Sequence, residues 1–448
     1  MNQERFRQPQ KLILKKGLIV TMNSADEIGR GDVLIDGDRI AAVGRFDEPA
    51  IPSIDCADLL ILPGFIQTHV HLCQTLFRGQ ADDLELLDWL HRRVWPYEAA
   101  LDAQAMRASA QLGIAELIKG GTTCVLDMGS VRHYDVVFDE LAQSGLRAFG
   151  GKCMMDHPQT VPAGRLESKQ HSLHESVQLA KVWHGNDNAR LRYAIAPRFA
   201  VSCTDDLMAD AAALARENGF LLHTHASETR DELRLIEKRA GCGNIAFLHR
   251  LGFSGPDVTL AHCIWLSGSE KRLMQETGTA VAHCPSSNLK LASGIAPIVD
   301  YLRRGIKVGL GADGAPCNNN LEMLTEMRLA ALLQKPRYGA AALDAEKIVK
   351  MATRGGAQVL GIANEVGSIE AGKKADLIGI ECETIFSQPS TDPYSQLVYA
   401  TSGRDVVLSL VDGKLLMRNR ELLTMDEEKI VAQAKSELRR VVQRMETC

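Results

Sequence analysis

The middle of the chain alternates short apolar runs with stretches in which apolar residues recur at helical spacing. This order of strand and helix patterns is typical of repeated βαβ units, which build a parallel sheet. The strand-like runs end near His71, Asp127, Cys153, Arg198, His225, His262, Cys284 and Asp313. Eight such units over about 250 residues match a (β/α)8 TIM barrel, whose functional residues lie at the C-terminal ends of the strands. The pattern therefore predicts an α/β fold with a barrel over residues 62–364.

Both ends of the chain have a different pattern, in which short apolar strands are separated by turn signals such as Asp36-Gly37-Asp38. This pattern covers residues 1–61 and returns over residues 365–420. Because chain termini commonly lie close together, we expect one small β-sandwich domain built from both ends. Two unrelated β-extensions are the alternative. The last segment, 421–448, is charged and helix-periodic, which predicts a C-terminal surface helix.

The composition of the chain limits the classes of binding partner that we expect. The 448 residues carry a formal net charge of −5, and Lys and Arg do not gather into a stripe of the kind that follows phosphates. The opening Met1–Arg7 is polar, and no apolar run approaches the length needed to cross a bilayer. The 11 cysteines lack CxxC pairs, which favours reduced thiols. We expect a cytoplasmic protein that binds a small molecule and neither nucleic acid nor membranes.

Two histidines one residue apart, His69 and His71, stand at the end of the first apolar run of the predicted barrel. Residues two apart on a strand point to the same face, so both imidazoles can reach one metal ion. His225, His262 and Asp313 end later strand-like runs. A single histidine at a strand end is more often structural, but this group supplies the nitrogen and oxygen ligands that zinc or iron requires. The set predicts a metal centre at the barrel mouth.

These motifs together resemble the amidohydrolase superfamily over nearly the full chain. In that family a distorted (β/α)8 barrel holds one or two metals through side chains that follow strands one, five and eight. The resemblance implies the metal ligands His69, His71, His225 and Asp313. It also implies that His262, after strand six, contacts the nucleophilic water or the substrate. Binuclear relatives carry a lysine after strand four, where this chain has Arg198, so we expect one divalent ion, with zinc as first choice and iron as the alternative.

The segment His223-Thr224-His225-Ala226-Ser227-Glu228 resembles the deaminase branch of the family, in which a glutamate three residues after the metal-binding histidine transfers protons. His223 shares the strand face of His225 and is the alternative ligand, but the glutamate spacing favours His225. The predicted catalytic residues are Glu228, His262 and Asp313. His262 and Asp313 would take a proton from a water molecule that the metal makes acidic, and Glu228 would protonate a ring nitrogen of the substrate. Ammonia needs protonation more than chloride does, so Glu228 favours an amine as the leaving group.

Residues after the histidine pair resemble the methylthioadenosine/S-adenosylhomocysteine deaminases and their 5'-deoxyadenosine relatives. In that subgroup a glutamate at the position of Glu98 binds the ribose hydroxyls, and a tryptophan at about Trp89 lines the pocket. Two carboxylate oxygens suit a vicinal diol well. The runs 285–294 and 311–315 also look like that subgroup. The resemblance implies hydrolytic removal of the 6-amino group from a 5'-modified adenosine: 5'-methylthioadenosine, S-adenosylhomocysteine or 5'-deoxyadenosine.

Three candidate substrate-binding residues depart from that subgroup. Arg198 resembles the arginine with which guanine deaminase binds the purine carbonyl, although a salt bridge at the barrel rim is another interpretation. Gln74 matches a base-reading glutamine of guanine deaminase and also occurs in triazine hydrolases, and Cys317 replaces a serine. Guanine deaminase is therefore the second hypothesis, and a triazine aminohydrolase or chlorohydrolase is the third.

A non-catalytic scaffold on this barrel should have lost metal ligands, and none of the four is lost, so an enzyme is favoured. Family members often form homodimers or tetramers, which implies a homo-oligomer.

Overall fold

The computed structural model describes residues 10–447, so residues 1–9 of the predicted segment 1–61 and the last residue of the segment 421–448 lie outside it. The strands are β1 (Lys11–Val20), β2 (Ile28–Asp36), β3 (Arg39–Gly44), β4 (Ser53–Asp55), β5 (Leu59–Pro63), β6 (Phe65–Val70), β7 (Thr122–Met128), β8 (Arg147–Gly151), β9 (Cys153–Met154), β10 (Leu191–Pro197), β11 (Leu221–Ala226), β12 (Val258–His262), β13 (Ala280–His283), β14 (Val308–Leu310), β15 (Leu377–Glu381), β16 (Val406–Val411), β17 (Lys414–Arg418) and β18 (Glu421–Leu422).

The helices lie mostly between the strands of the middle region. They are α1 (Leu86–Trp89), α2 (Trp95–Ala99), α3 (Ala103–Lys119), α4 (Tyr134–Ser144), α5 (Lys169–Trp183), α6 (Asn186–Ala189), α7 (Asp205–Asn218), α8 (Arg230–Ala240), α9 (Asn244–Arg250), α10 (Gly268–Thr277), α11 (Pro285–Lys290), α12 (Ile298–Arg303), α13 (Ala315–Asn318), α14 (Met323–Tyr338), α15 (Ala345–Lys350), α16 (Gly356–Val359), α17 (Pro393–Tyr399) and α18 (Glu427–Thr447). Leu72–Phe77 and Gly403–Asp405 are 3₁₀ turns, and Leu90–Val94 and Met351–Gly355 are π-helical.

Eight parallel strands close into a barrel, which confirms the predicted α/β class and TIM-barrel architecture. Their order is β6-β7-β8-β10-β11-β12-β13-β14, and β14 pairs with β6 to close the ring. The short β9 adds to β10 at one end. Strands such as β6 and β7 are buried along their whole length, as expected for a parallel sheet covered by helices. All eight C-terminal ends therefore meet at one mouth.

A second, mixed sheet is built from both ends of the chain. Its order is β18-β17-β16-β15-β5-β1-β2-β3, with β4 beside β1. The two ends meet where β5 pairs antiparallel with β15, in the register Leu377 opposite Pro63. The common sheet confirms that both termini contribute to the appended β-structure.

Two features attach this sheet and the C-terminal helix to the barrel. Arg147, at the start of β8, forms a buried two-pronged ion pair with Asp376 next to β15, at 2.7 and 3.0 Å. The helix α18 buries Ile430, Ala434 and Val441 in the cluster that also contains the barrel core. It begins at Glu427, later than the predicted 421, because Glu421 and Leu422 pair with β17. None of the helices in residues 10–447 is both long and apolar enough to cross a bilayer.

Candidate metal centre

Four predicted ligands converge at the barrel mouth. One ligand atom from each of His69, His71, His225 and Asp313 lies within 4.8 Å of every other. The Nε2 atoms of His69 and His71 are each 3.3 Å from Oδ1 of Asp313, and Nε2 of His71 is 3.2 Å from Nε2 of His225. Ligands about 2.0–2.2 Å from a zinc ion are separated by distances of this order. The backbone N–H of Asp313 donates to the carbonyl of His69, which fixes the two strand ends relative to each other.

Hydrogen bonds on the far side of each ring direct one nitrogen toward the common point. His71 Nδ1 donates to the Met128 carbonyl at 2.8 Å, and His225 Nδ1 donates to the Arg198 carbonyl at 2.7 Å. His69 Nδ1 lies 2.7 Å from Nε2 of His223. Such partners fix the tautomer that leaves Nε2 as the ligand atom.

His223, the alternative ligand, does not point to the common point of the other rings. It lies behind His69, and its own Nδ1 donates to the Thr259 carbonyl at 2.9 Å. A proton on that Nδ1 leaves Nε2 of His223 to accept from His69. His223 is outside the converging group, and His225 is inside it.

The charges of the group fit a divalent cation. Burial lowers the pKa of His71 to about 3 and also lowers the pKa values of His69 and His225, so these rings are neutral at pH 7. Burial acts to raise the pKa of Asp313, but the surrounding histidines hold it well below its usual range. Nε2 of His69 is buried and has no hydrogen-bond partner in residues 10–447. Three neutral nitrogens and one carboxylate are a donor set that zinc or iron accepts.

Glu228 and His262 stand next to these four residues. The Oε2 atom of Glu228 is 3.6 Å from Nε2 of His262, which is 3.8 Å from Oδ2 of Asp313. Ser227, His262 and Asp313 have φ values of +53°, +71° and +62°, so each strand ends in a sharp change of direction. Residues with such backbones cluster at functional sites.

The pKa values of Glu228 and His262 are shifted from those of exposed residues. Burial raises the pKa of Glu228 to about 7. Burial acts to lower the pKa of His262, but Glu228 and Asp313 outweigh it and raise the value. A carboxyl group that is protonated near neutral pH can act as a general acid.

A pocket opens onto this group. Its lining residues are His71, Leu86, Trp89, Leu90, Arg198, Phe199, His225, Glu228, His262, Leu291 and Asp313. The predicted residues Trp89, Arg198, Glu228 and His262 thus share one cavity, with apolar side chains around them. A flat ring can lie between such apolar walls while polar groups reach its edge.

Three predicted substrate-binding residues lie outside this lining. Glu98 is buried and ion-paired, with Oε2 2.6 Å from Arg165 and 3.2 Å from Arg198. Gln74 donates to Oε1 of the same carboxylate at 2.8 Å. Burial acts to raise the pKa of Glu98, but the two guanidinium groups hold it below its usual range. Cys317 is fully buried, and its thiol donates to the Gly314 carbonyl at 3.0 Å.

The structure also adds residues that the sequence analysis did not single out. Arg165 lies on an irregular loop after β9, so no strand or helix period marked it. Leu86, Leu90 and Leu291 line the pocket but have the pattern of ordinary core residues. Ser287, Asn288 and Ser293 contact Asp313, His262 and Glu228 respectively. The sequence feature that pointed to these three residues was the resemblance of the run 285–294 to the adenosine subgroup.

Comparison with known proteins agrees with this geometry. A family model described as the amidohydrolase family matches residues 60–416. A 5'-deoxyadenosine deaminase from Methanosarcina mazei is 36% identical, with 97% of this chain and 99% of the relative covered. A 5-methylthioadenosine/S-adenosylhomocysteine deaminase from Moorella thermoacetica is 37% identical, with 94% and 98% covered.

Solved structures share the whole architecture. An adenosine deaminase from Xanthomonas campestris with bound zinc has a TM-score of 0.91 at 32% identity, covering 96% of this chain and 98% of that one. An atrazine chlorohydrolase from Arthrobacter aurescens complexed with zinc has a TM-score of 0.90 at 25% identity, covering 95% and 100%. The E. coli guanine deaminase has a TM-score of 0.84 at 28% identity, covering 92% and 100%.

Proposed function

The chain belongs to the amidohydrolase family, and we propose that it is a metal-dependent hydrolytic deaminase that removes the 6-amino group of a 5'-modified adenosine as ammonia. The observation that carries this proposal is the carboxyl group of Glu228, which has a pKa of about 7 and lies beside the metal ligands and His262. The relatives named for 5'-deoxyadenosine and for methylthioadenosine and S-adenosylhomocysteine, similar over nearly the full chain, support this substrate class.

The metal is proposed to be one zinc ion held by the four converging residues, His69, His71, His225 and Asp313. Solved relatives that contain zinc support this choice over iron. A divalent ion bound there lowers the pKa of a water molecule enough for hydroxide to exist near neutral pH.

The protein residues handle the protons of the reaction. Asp313 and His262 take the proton from the nucleophilic water and orient it toward the substrate carbon that carries the amino group. Glu228, in its protonated form, donates to the adjacent ring nitrogen, which relieves the negative charge that develops there. The proton taken from water then passes to the amino group, which leaves as ammonia, while the proton of the added hydroxyl returns to Glu228 as the ring carbonyl forms.

The apolar walls of the pocket suit a planar base. Trp89 and Phe199 offer aromatic faces, and Leu86, Leu90 and Leu291 complete the enclosure. Stacking and exclusion of water hold the ring, while Glu228 and His262 lie at the metal end of the same cavity. The remainder of a nucleoside would extend toward Glu98 and the mouth of the barrel.

The ribose role proposed for Glu98 makes a sharp prediction. Its carboxylate already contacts Arg165, Arg198 and Gln74, so a diol must displace at least one of these contacts. If it does, Glu98→Ala will lower kcat/KM for nucleosides much more than for free bases. Equal losses for 5'-deoxyadenosine and for adenine would contradict the ribose role.

Guanine deaminase is a second candidate because Arg198 lines the pocket. Its guanidinium is buried and ion-paired with Glu98, so it is a fixed donor that suits a ring carbonyl. The triazine reaction is the third candidate, supported by the structural likeness to an atrazine chlorohydrolase. Arg198→His should lower activity on guanine far more than on an adenosine derivative.

A panel assay separates these candidates. Ammonia release is measured from 5'-deoxyadenosine, 5'-methylthioadenosine, S-adenosylhomocysteine, guanine and melamine, with the zinc-loaded protein. The proposal predicts the highest kcat/KM for one of the three adenosine derivatives. Activity on guanine alone would overturn it in favour of the second candidate. A homo-oligomer stays a prediction that light scattering of the full chain can test.

A further inference from the structure

The segment from Ser287 to Ser293 reaches three predicted catalytic residues at once. It consists of the end of α11 and the turn that follows it. Ser287, Asn288 and Ser293 are 0%, 1% and 4% exposed, and none of their side chains lines the pocket. They are therefore buried behind the groups that they contact.

Ser287 fixes the rotation of the Asp313 carboxylate. Its hydroxyl donates to Oδ2 at 2.7 Å. The other oxygen, Oδ1, faces Nε2 of His69 and His71 at 3.3 Å each and accepts from the Gly314 N–H at 2.8 Å. One oxygen is thus directed to the metal position while the other is held away from it.

Asn288 fixes the ring of His262. Oδ1 of Asn288 lies 2.8 Å from Nδ1 of the imidazole. An amide oxygen can only accept, so Nδ1 carries the proton and Nε2 is the atom left facing Glu228 and Asp313. The amide therefore sets both the tautomer and the orientation of this ring.

Ser293 contacts Glu228. Its hydroxyl donates to Oε1 at 3.0 Å, and Oε2 is the oxygen nearer His262. The charged and polar groups that face Glu228 are His262 from β12, Asp313 after β14, Glu232 from α8, and Ser293. The hydrogen bond from Ser293 stabilises the carboxylate and so opposes the burial that raises the pKa of Glu228.

Hydrogen bonds to residues outside the catalytic group hold the segment in place. Glu326 on α14 accepts from both the backbone N–H and the hydroxyl of Ser286, at 3.1 and 2.5 Å. Trp265 Nε1 donates to the carbonyl of Ser293 at 2.8 Å. Gly294 has φ of +130°, and a Cβ there would lie 2.8 Å from the Trp265 ring. The placement of the segment thus does not depend on the catalytic residues it contacts.

We propose that residues 287–293 form a positioning segment that orients Asp313, His262 and Glu228 together, through Ser287, Asn288 and Ser293. This inference rests on the proposed function for the roles of the three catalytic groups. The three supporting side chains touch no reacting atom. Because one rigid segment holds the metal ligand, the water-side histidine and the general acid, it fixes their mutual geometry.

The first test uses zinc affinity and no substrate. Ser287→Ala is compared with Ser409→Ala, which removes a buried hydroxyl from the terminal sheet, where it donates to the Ile118 carbonyl far from the metal position. Circular dichroism checks that both variants are folded, and competition with a chelator measures zinc binding. We expect Ser287→Ala to weaken zinc binding by about 10–100-fold, as outer hydrogen-bond partners of metal ligands do. Equal affinities for the two variants would overturn the role of Ser287.

The second test follows kcat as a function of pH. Ser293→Ala should lower kcat by about tenfold, a part of what a general acid contributes, with KM unchanged. The alkaline limb of the kcat–pH profile of this variant should move to higher pH, because loss of the Ser293 hydroxyl donor raises the pKa of Glu228. Ser293→Thr keeps the hydroxyl and should restore both properties.

Two outcomes of the second test count against the proposal. A change in KM alone would contradict it, and so would an unshifted pH profile. If the parent protein released no ammonia from any compound in the panel, the proposed function would fail. The zinc comparison would still decide the role of Ser287.

Discussion

The protonation of Glu228 controls the proposed chemistry at the scale of single residues. Its carboxyl group must carry a proton to protonate the ring nitrogen, and burial raises its pKa to about 7. The active form is therefore populated below this pKa and is lost as the pH rises through it. The proposed metal ligands His69, His71 and His225 must instead be unprotonated, because a metal ion binds neutral imidazole.

A substitution at position 228 tests this role. Glu228→Gln keeps the size of the side chain but cannot donate a carboxylic proton. We expect kcat to fall by about 10²–10⁴-fold, the usual contribution of a general acid, while the zinc content stays at the parent level. Plots of kcat against pH and metal analysis measure both. A variant that keeps its activity, or that loses its zinc, would refute the assignment.

At the same scale, His223 is expected to act through His69. Its Nε2 lies 2.7 Å from Nδ1 of His69, so His223→Ala leaves that ring without its orienting partner. We expect zinc affinity to fall by about 10–100-fold. The control is His249→Ala, on α9, which removes an exposed ring that contacts Ser254. Competition with a chelator should separate the two variants; identical affinities would show that His223 does not orient the ligand.

At the scale of elements, sequence patterns predict most reliably those site residues whose position depends on a single strand and on where that strand ends. His69, His71 and His225 were predictable because each belongs to a local apolar run and because strand ends of a barrel share one mouth. The contact between Arg165 and Glu98 could not be predicted, since it depends on how the loop after β9 and helix α2 fold over the barrel. The same limit applies to Ser287, Asn288 and Ser293, whose partners lie after β14, on β12 and after β11 respectively.

At the same scale, the buried ion pair between Arg147 and Asp376 is expected to attach the terminal sheet to the barrel. The side chains of Asp376 and Arg147 are each 2% exposed, and removal of the carboxylate leaves the buried guanidinium with Asp412 as its one remaining ion-pair partner among residues 10–447. Asp376→Ala should lower the free energy of unfolding by about 3–5 kcal/mol, with kcat/KM of the folded protein unchanged. Urea denaturation checks the value. Lys11→Ala, which breaks an exposed pair with Asp36 in the same sheet, should change stability little.

At the scale of the whole molecule, the barrel brings the proposed metal ligands from distant parts of the chain to one point. His69 and Asp313 are far apart in sequence, yet the backbone N–H of Asp313 donates to the carbonyl of His69. The terminal sheet joins both ends of the chain through β5 and β15 and leaves the mouth of the barrel to the βα loops. Full-length similarity to deaminases extends over both parts.

Metal-dependent release of ammonia is the most direct measurement of whether this protein is a zinc-dependent deaminase. The full chain is stripped of metal with a chelator, and ammonia release from 5'-deoxyadenosine is followed as zinc is returned in steps. We expect no activity in the stripped protein and full recovery at one zinc ion per chain, with no recovery in His69→Ala. Full activity in the stripped protein, or no ammonia at any zinc level from any compound in the panel, would contradict it.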